Sequence, residues 1–400
     1  MVTLMRNRGT LTKLTACLVT FVAIAGSAPV AHARVHIWCV DPTGGPCFTT
    51  ITAALKHAHS GDSIDIAAGT YIENIRIGKN SKKGEKIELT ITGSTSGSTI
   101  IDGGANGTVV SIFPQAVVNL FAVTIQNGSS SGIAVRDATV ALSECVVTNN
   151  QATGSGGGID FEVSNHPPKR TPQLLIDTCT ISGNTTNAFG GGLAIAGGSN
   201  SISNSTISGN SSIGGNGGGV EISGGQTTLA NSTISGNQAT GGEPFGGGIN
   251  CIGTLVLNNV TIANNSAIGA NGKGGGIFSL GCMLTAANTV IAGNAAHGQV
   301  DCGGLLNSQG HNLIQNNDCG ITGDTTTNII GEDAMLGSLQ LNPPGTTETQ
   351  ALLMGSPAIG AGASGANNST GPGPQCLPTD QRGVTRPTDA CDIGAYQFSM

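Results

Sequence analysis

Aromatic side chains are scarce in this 400-residue chain, which has nine Phe, two Tyr and one Trp. An ordinary globule of such length divides into two or three domains around large, ring-bearing cores. Twelve rings exclude that plan and favour a fold built from thin, repeated layers. Charge is scarce as well, at 10% of residues, with 16 basic against 23 acidic side chains. That balance removes the basic surface on which nucleic-acid binding depends. No stretch carries a sustained helical stripe, so a helical bundle is excluded. Beyond the first 26 residues no apolar run approaches the ~18 residues needed to cross a bilayer. Disorder is excluded too, because 38% hydrophobic residues do not match its low-hydrophobicity, high-charge composition. Glycine is plentiful at 64 residues, yet that is only half of what a Gly-X-Y collagen requires.

The first 33 residues read as a secretory signal. Arg6, Arg8 and Lys13 give the positive start, residues 14–26 the apolar stretch, and Ala31-His32-Ala33 a small-residue cleavage site. The expectation is an exported protein, extracellular or periplasmic, cleaved near Ala33 and lacking a membrane anchor. Cleavage leaves 13 basic against 23 acidic residues, so nucleic acid is a poor partner. Cys17 departs with the signal and ten cysteines remain, an even number in an oxidising compartment, which favours disulfides over metal or redox roles. Spacing suggests Cys39 with Cys47 around a turn, Cys302 with Cys319 around a loop, and Cys376 with Cys391 around the last segment. Cys145 with Cys179, and Cys251 with Cys282, would join successive repeats. Buried free thiols are the alternative.

Against these shortages stands a repeat. Hexapeptides such as CVVTNN, CTISGN, STISGN and VTIANN place an Asn at 150, 184, 210, 237, 265 and 294, at intervals of 34, 26, 27, 28 and 29. A Gly-Gly-Gly-apolar series ends at Ile159, Leu193, Val220, Ile249 and Ile277 and keeps step with it. The 34-residue interval holds an extra run, His166 to Pro172, which reads as a loop excursion. Within each unit the apolar residues alternate at period two, as in Ile159-Asp160-Phe161-Glu162-Val163, so they form strands. Short strands punctuated by Gly, Asn and Ser are most economically arranged as a coil whose strands stack on those of the next. Stacked at ~4.8 Å, the amides of Asn150, Asn184, Asn210, Asn237, Asn265 and Asn294 can hydrogen-bond as a ladder, and Asn tolerates the left-handed backbone of a sharp corner. The glycines open the opposite corner.

These residues resemble the right-handed parallel β-helix, or pectin-lyase-like, superfamily over about residues 35–340. Phe48 to Leu55 looks like an amphipathic capping helix with Thr49 or Thr50 as N-cap, and Gly61 to Tyr71 resembles an opening coil. The fold class is then all-β, a right-handed single-stranded parallel β-helix of ~10–12 coils with an N-terminal capping helix. Gly310-His311-Asn312-Leu313-Ile314, Gly355-Ser356-Pro357-Ala358-Ile359-Gly360, Asp380-Gln381-Arg382-Gly383 and Cys391-Asp392-Ile393-Gly394-Ala395-Tyr396 are similar to the C-terminal region of exported bacterial β-helix proteins with a choice-of-anchor Q domain. The implied organisation is a signal at 1–33, a cap at 34–60, repeats at 61–300, and terminal coils with the choice-of-anchor Q-like region at 301–400. The sequence ends at Met400, four residues after Tyr396, without the sorting tail that such a resemblance often implies, so release is the expectation.

Outward strand positions are where chemistry would sit. Counting from the apolar residue after each Gly run, Asp160 and Glu162 point out on one face ~7 Å apart, Arg136 lies one coil below Glu162, and Glu221 stands two coils above Asp160 at ~10 Å. Those separations lie within or near the ~5–9.5 Å span of paired glycosidase carboxylates. A uronate lyase would further need a carboxylate cluster for Ca²⁺ and a base, for which Arg136 and Lys169 are the nearby cations. The plainer account is a solvated face with an Arg136–Glu162 pair. Gly310-His311-Asn312 departs from a polygalacturonase-like Gly-His-Gly at its third position, so His311 reads as a terminal-region residue. His57, His59, His166 and His297 show no metal spacing, and the Lys79, Lys82, Lys83, Lys86 loop reads as a solvated turn. The leading expectation is a secreted, monomeric β-helix without a cofactor that binds extracellular polysaccharide or a cell-surface component. One alternative is a polysaccharide lyase or hydrolase working at Asp160, Glu162 and Glu221, with Ca²⁺ if a lyase. The other is a structural or adhesive exoprotein without a small ligand.

Overall fold

A computed structural model describes residues 35–78, 86–164, 170–316, 318–363 and 375–399. The signal segment, Lys79, Lys82, Lys83, His166 and Lys169 lie outside them. Among the described residues, strands pair in parallel within sheets of 18, 11 and 6 strands, with one antiparallel hairpin of Leu336–Leu341 and Glu348–Leu352. The chain is an all-β parallel solenoid, and the 11-stranded second sheet gives one strand to each coil. No helix of the described residues is long and apolar enough to cross a membrane.

The period-two pattern dictates the layer. In Thr139–Ser143 the inward Val140 and Leu142 are buried while their neighbours are half-exposed. Register then stacks like on like, so that Ile181, Ile207, Ile234, Ile262 and Ile291 form one column in the second sheet. Each side chain rests on its counterpart a strand spacing away, and the interior closes without large rings. At the N-terminal end the helix α1, Ile51–Leu55, covers the first coil. Thr50 caps it by accepting from the Ala53 N–H at 3.2 Å, while the Glu73 carboxylate accepts from the N–H groups of Ile51 and Thr52 at 2.7 and 2.8 Å.

The six landmark amides do form a one-way ladder. Asn150, Asn184, Asn210, Asn237 and Asn265 each donate from Nδ2 to the Oδ1 of the next, at 2.9–3.0 Å. Asn294 ends it on the Asp301 carboxylate at 3.0 Å. The expectation about their backbone needs correcting, since the left-handed residue is the one before each: Asn149, Gly183, Gly209, Gly236, Asn264 and Gly293 have φ between 54° and 65°. A Gly-Asn or Asn-Asn pair thus divides the labour, one residue turning the chain and the next bonding the stack. At the opposite corner Gly190 has φ 70°, and a Cβ there would lie 2.2 Å from the Leu193 carbonyl oxygen.

Four disulfides join Cys39–Cys47, Cys251–Cys282, Cys302–Cys319 and Cys376–Cys391. The fifth expected pair is not bonded: Cys145 and Cys179 are buried free thiols. They occupy the same corner in successive coils, a position that continues as Ser205 and Ser232. There the side chain accepts the backbone N–H from the coil below, as Cys145 N–H to Cys179 Sγ at 3.3 Å and Cys179 N–H to Ser205 Oγ at 3.0 Å. Parallel Cα–Cβ bonds one strand spacing apart do not converge to the ~3.8 Å between Cβ atoms that a disulfide needs.

After the hairpin the chain returns along the outside of the second sheet as a strap. Asn231 Nδ2 donates to the Thr379 carbonyl at 2.8 Å, Asn259 Oδ1 accepts from the Leu377 N–H at 2.9 Å, and Asn288 Oδ1 accepts from the Ala363 N–H at 2.8 Å. The strap is pinned internally by the buried Asp380–Arg382 pair at 2.7 Å, with the guanidinium 3.6 Å from the Tyr396 ring centroid.

Candidate functional site

The strap covers the second sheet from Thr206–Ser208 onward, and among the described residues the long sheet carries no such cover over the cavity formed there. On the long sheet, register aligns Ala134, Asp160, Ala194, Glu221, Asn250 and Phe278 in one outward column. Arg136, Glu162 and Ala196 align in the column two residues on. The residue before each Gly corner supplies a third column, which includes Ser155, Phe189 and Asn216. Between these columns lies a cavity of about 660 Å³ lined by residues of all three, together with Ser223 and Ile252. Ala194 gives it a low floor between two acids. All four residues nominated from sequence, Arg136, Asp160, Glu162 and Glu221, line this cavity.

Arg136 is held from two sides. Its Nη2 is 2.6 Å from Asp160 Oδ2 and its Nε is 2.9 Å from Glu162 Oε2. The Glu162 contact is the cross-strand pair expected from sequence; the Asp160 contact is additional. Arg136 and Glu162 are 42% and 53% exposed, so water screens the attraction and its stabilisation is small. Asp160 is more enclosed, and burial raises its carboxyl above the ordinary value against the pull of the guanidinium.

Glu221 stands in a different environment. Only 7% exposed, it pairs with no cation among the described residues, and the Asn250 amide donates to both of its oxygens at 3.0 and 2.9 Å. Burial pushes its carboxyl up to about 7, the amide pulling weakly the other way. The cavity therefore holds carboxylates paired with a guanidinium at one end and a carboxyl pushed up to about 7 at the other. The two-coil register puts them ~10 Å apart.

Ca²⁺ takes six to eight oxygen ligands, and this donor set does not fit it. Arg136 occupies one oxygen each of Asp160 and Glu162, and Glu221 is two coils away. No three His, Cys, Asp or Glu side chains converge as metal ligands would among the described residues. His311 lies outside the cavity lining, with Nδ1 2.8 Å from the Ala361 carbonyl oxygen. Lys86 pairs with Glu88 at 3.0 Å. Sequence reasoning missed two parts of the site. Asn250, which bonds Glu221, was visible one coil above it in the outward column, and Phe189 as the residue before a Gly corner.

No family model matches the chain, and no curated protein is similar to it. Among solved structures it is similar to the pectate lyase Pel9A, at 13% identity with a TM-score of 0.50, over 92% of this chain and 97% of that one. Lower similarities are to a pectin methylesterase from Aspergillus niger, at 14% identity and TM-score 0.25 over 74% of this chain and 84% of that one, and to the PL6 family alginate lyase AlyGC, at 13% and 0.30 over 86% and 56%. The pectate lyase likeness is one of fold: the two chains share a parallel β-solenoid.

Proposed function

We propose that this protein is an exported, monomeric β-helix that binds a segment of extracellular polysaccharide in the cavity on the long sheet. The observation that carries this reading is the cavity itself: about 660 Å³, open along the stack, with carboxylates and a guanidinium on its floor and Phe189 and Ile252 at its sides. Such a mixture suits sugars, whose hydroxyls meet polar groups and whose C–H faces pack on apolar ones. The fold is shared with a pectate lyase, a polysaccharide-acting protein, which agrees with a glycan partner. The four disulfides fit an oxidising location, and the C-terminal region is assigned a choice-of-anchor Q-like character from its motifs. The test is to incubate the purified chain with a panel of acidic, basic and neutral polysaccharides and to measure both retention and product formation. Retention without turnover, weakened by Glu162→Gln, supports the reading; no retention of any glycan leaves the structural or adhesive role.

One observation favours a second reading, hydrolysis. Glu221 is pushed up to about 7 and so keeps a proton near neutrality, as a general acid must, while Asp160 and Glu162 sit across the floor. Product formation lost in Glu221→Gln would establish it. A uronate lyase is less well served, because Arg136, the one cation lining the cavity among the described residues, is tied to two carboxylates.

A further inference from the structure

The charge in the cavity says which polysaccharide fits. We infer that the cavity is selective for an amine-bearing glycan, one whose sugars carry free ammonium groups, and rejects polyuronates; this rests on the reading of the cavity as a glycan site. Among the described residues, three acidic side chains line it against a single guanidinium, and that guanidinium is already bonded to Asp160 and Glu162. A uronate entering would bring negative charge to a wall whose one described cation, Arg136, is already paired. Such a like-charge meeting is disfavoured, and water at the open side of the cavity screens part of it.

The second observation is Glu221. Nine-tenths buried and part of the lining, it receives a single amide nitrogen shared between both oxygens. A carboxylate has about four acceptor sites, which one amide nitrogen does not fill. A neutral hydroxyl would supply one donor and no charge. An ammonium supplies three donors and the counter-charge, and charge-assisted bonds of this kind are roughly twice as strong as neutral ones. The low floor at Ala194 leaves room for the sugar ring between Glu221 and the Asp160 end. The raised proton affinity of Glu221 is what a buried acid lacking its cation should show.

The test uses the full mature chain and three soluble oligosaccharides of equal length, built from glucosamine, N-acetylglucosamine and galacturonate, titrated calorimetrically near pH 6. The glucosamine oligomer should bind at least about tenfold tighter than the acetylated one, with the galacturonate oligomer weakest. That advantage should shrink as salt rises from about 0.05 to about 0.5 M. In Glu221→Gln the ratio of amine to acetylated affinity should fall close to one. Equal or better binding of the acetylated or galacturonate oligomer overturns the amine inference alone, as does a Glu221→Gln protein that keeps the ratio. Failure of all three to bind sinks the polysaccharide reading and this inference together.

Discussion

The tripeptide Thr-Ile-Ser occurs at 180–182 and again at 206–208, in neighbouring strands of the same sheet and in perfect register. In the first copy Thr180 and Ser182 are half-exposed; in the second, Thr206 and Ser208 are buried. The third copy, Thr233–Ser235, is buried throughout as well. Nothing in the repeat accounts for this. The difference comes from the C-terminal hairpin and strap: Thr206 Oγ1 donates to the Glu348 carbonyl of the hairpin at 2.5 Å, and the Gln381 side chain of the strap bonds both Thr206 and Thr233, at 2.9 and 2.7 Å. A repeat fixes what its side chains do inside a coil and says little about what covers the coil outside. The strap closes one face of the solenoid and leaves the long sheet, with its cavity, as the face available to a ligand.

That contrast can be broken or sharpened by substitution, starting with the two Arg–carboxylate clusters. Arg382→Ala leaves Asp380 buried without its partner and is expected to cost about 3–5 kcal/mol. Arg136→Ala, in a screened pair, should cost under about 1 kcal/mol. Equal shifts in denaturant midpoint for the two variants would contradict the division into a structural strap and a functional face. Next in size is Asn237→Ala. It orphans the backbone and side-chain N–H groups of Asn210 that now reach its Oδ1 at 3.0 and 2.9 Å. The expected loss is about 2–3 kcal/mol, read in the same unfolding experiment.

Glu221 gives an effect of comparable size that depends on pH. Its carboxyl is raised from 4.5 to about 7 on folding, so burial favours the protonated form. The stability this contributes is present below about pH 4.5 and is lost as pH rises through about 7. Thermal melts across that window should therefore show the parent losing up to about 3 kcal/mol relative to Glu221→Gln. Parallel melting curves would show that Glu221 is ordinary. The smallest change is expected for Cys179→Ser, under about 1 kcal/mol, because Ser205 and Ser232 already fill the same corner in the next two coils. A large drop in melting temperature there would indicate that the two thiols do more than occupy a hydroxyl position.

Most of the coil was legible in the sequence because a parallel solenoid makes its physics periodic. The Asn and Gly-Gly-Gly landmarks kept step, so the stack, the amide ladder and the outward column with Asp160 and Glu221 could be read by counting. What could not be counted was anything contributed from another part of the chain. Asn204, Asn231, Asn259 and Asn288 look like further ladder residues in the repeat, yet three of them face the strap, and Asn204 Nδ2 donates to Asp177 at 2.8 Å. The spacing of Cys145 and Cys179 gave their stacking correctly and their chemistry wrongly, because a one-dimensional interval carries no Cβ direction. In the candidate site the ionisable residues were visible as outliers on a chain poor in charge, whereas the enclosure that distinguishes Glu221 from Glu162 depends on neighbouring coils.

The most direct test of the account is hydrogen exchange of the purified chain with and without a bound oligosaccharide. New protection is predicted in Ile159–Glu162, at 193–196 and at 220–223, with Thr180–Ser182 and the strap-covered strands unchanged. Protection on the second sheet, or release of the strap on binding, would contradict the assignment of the long-sheet cavity as the functional face.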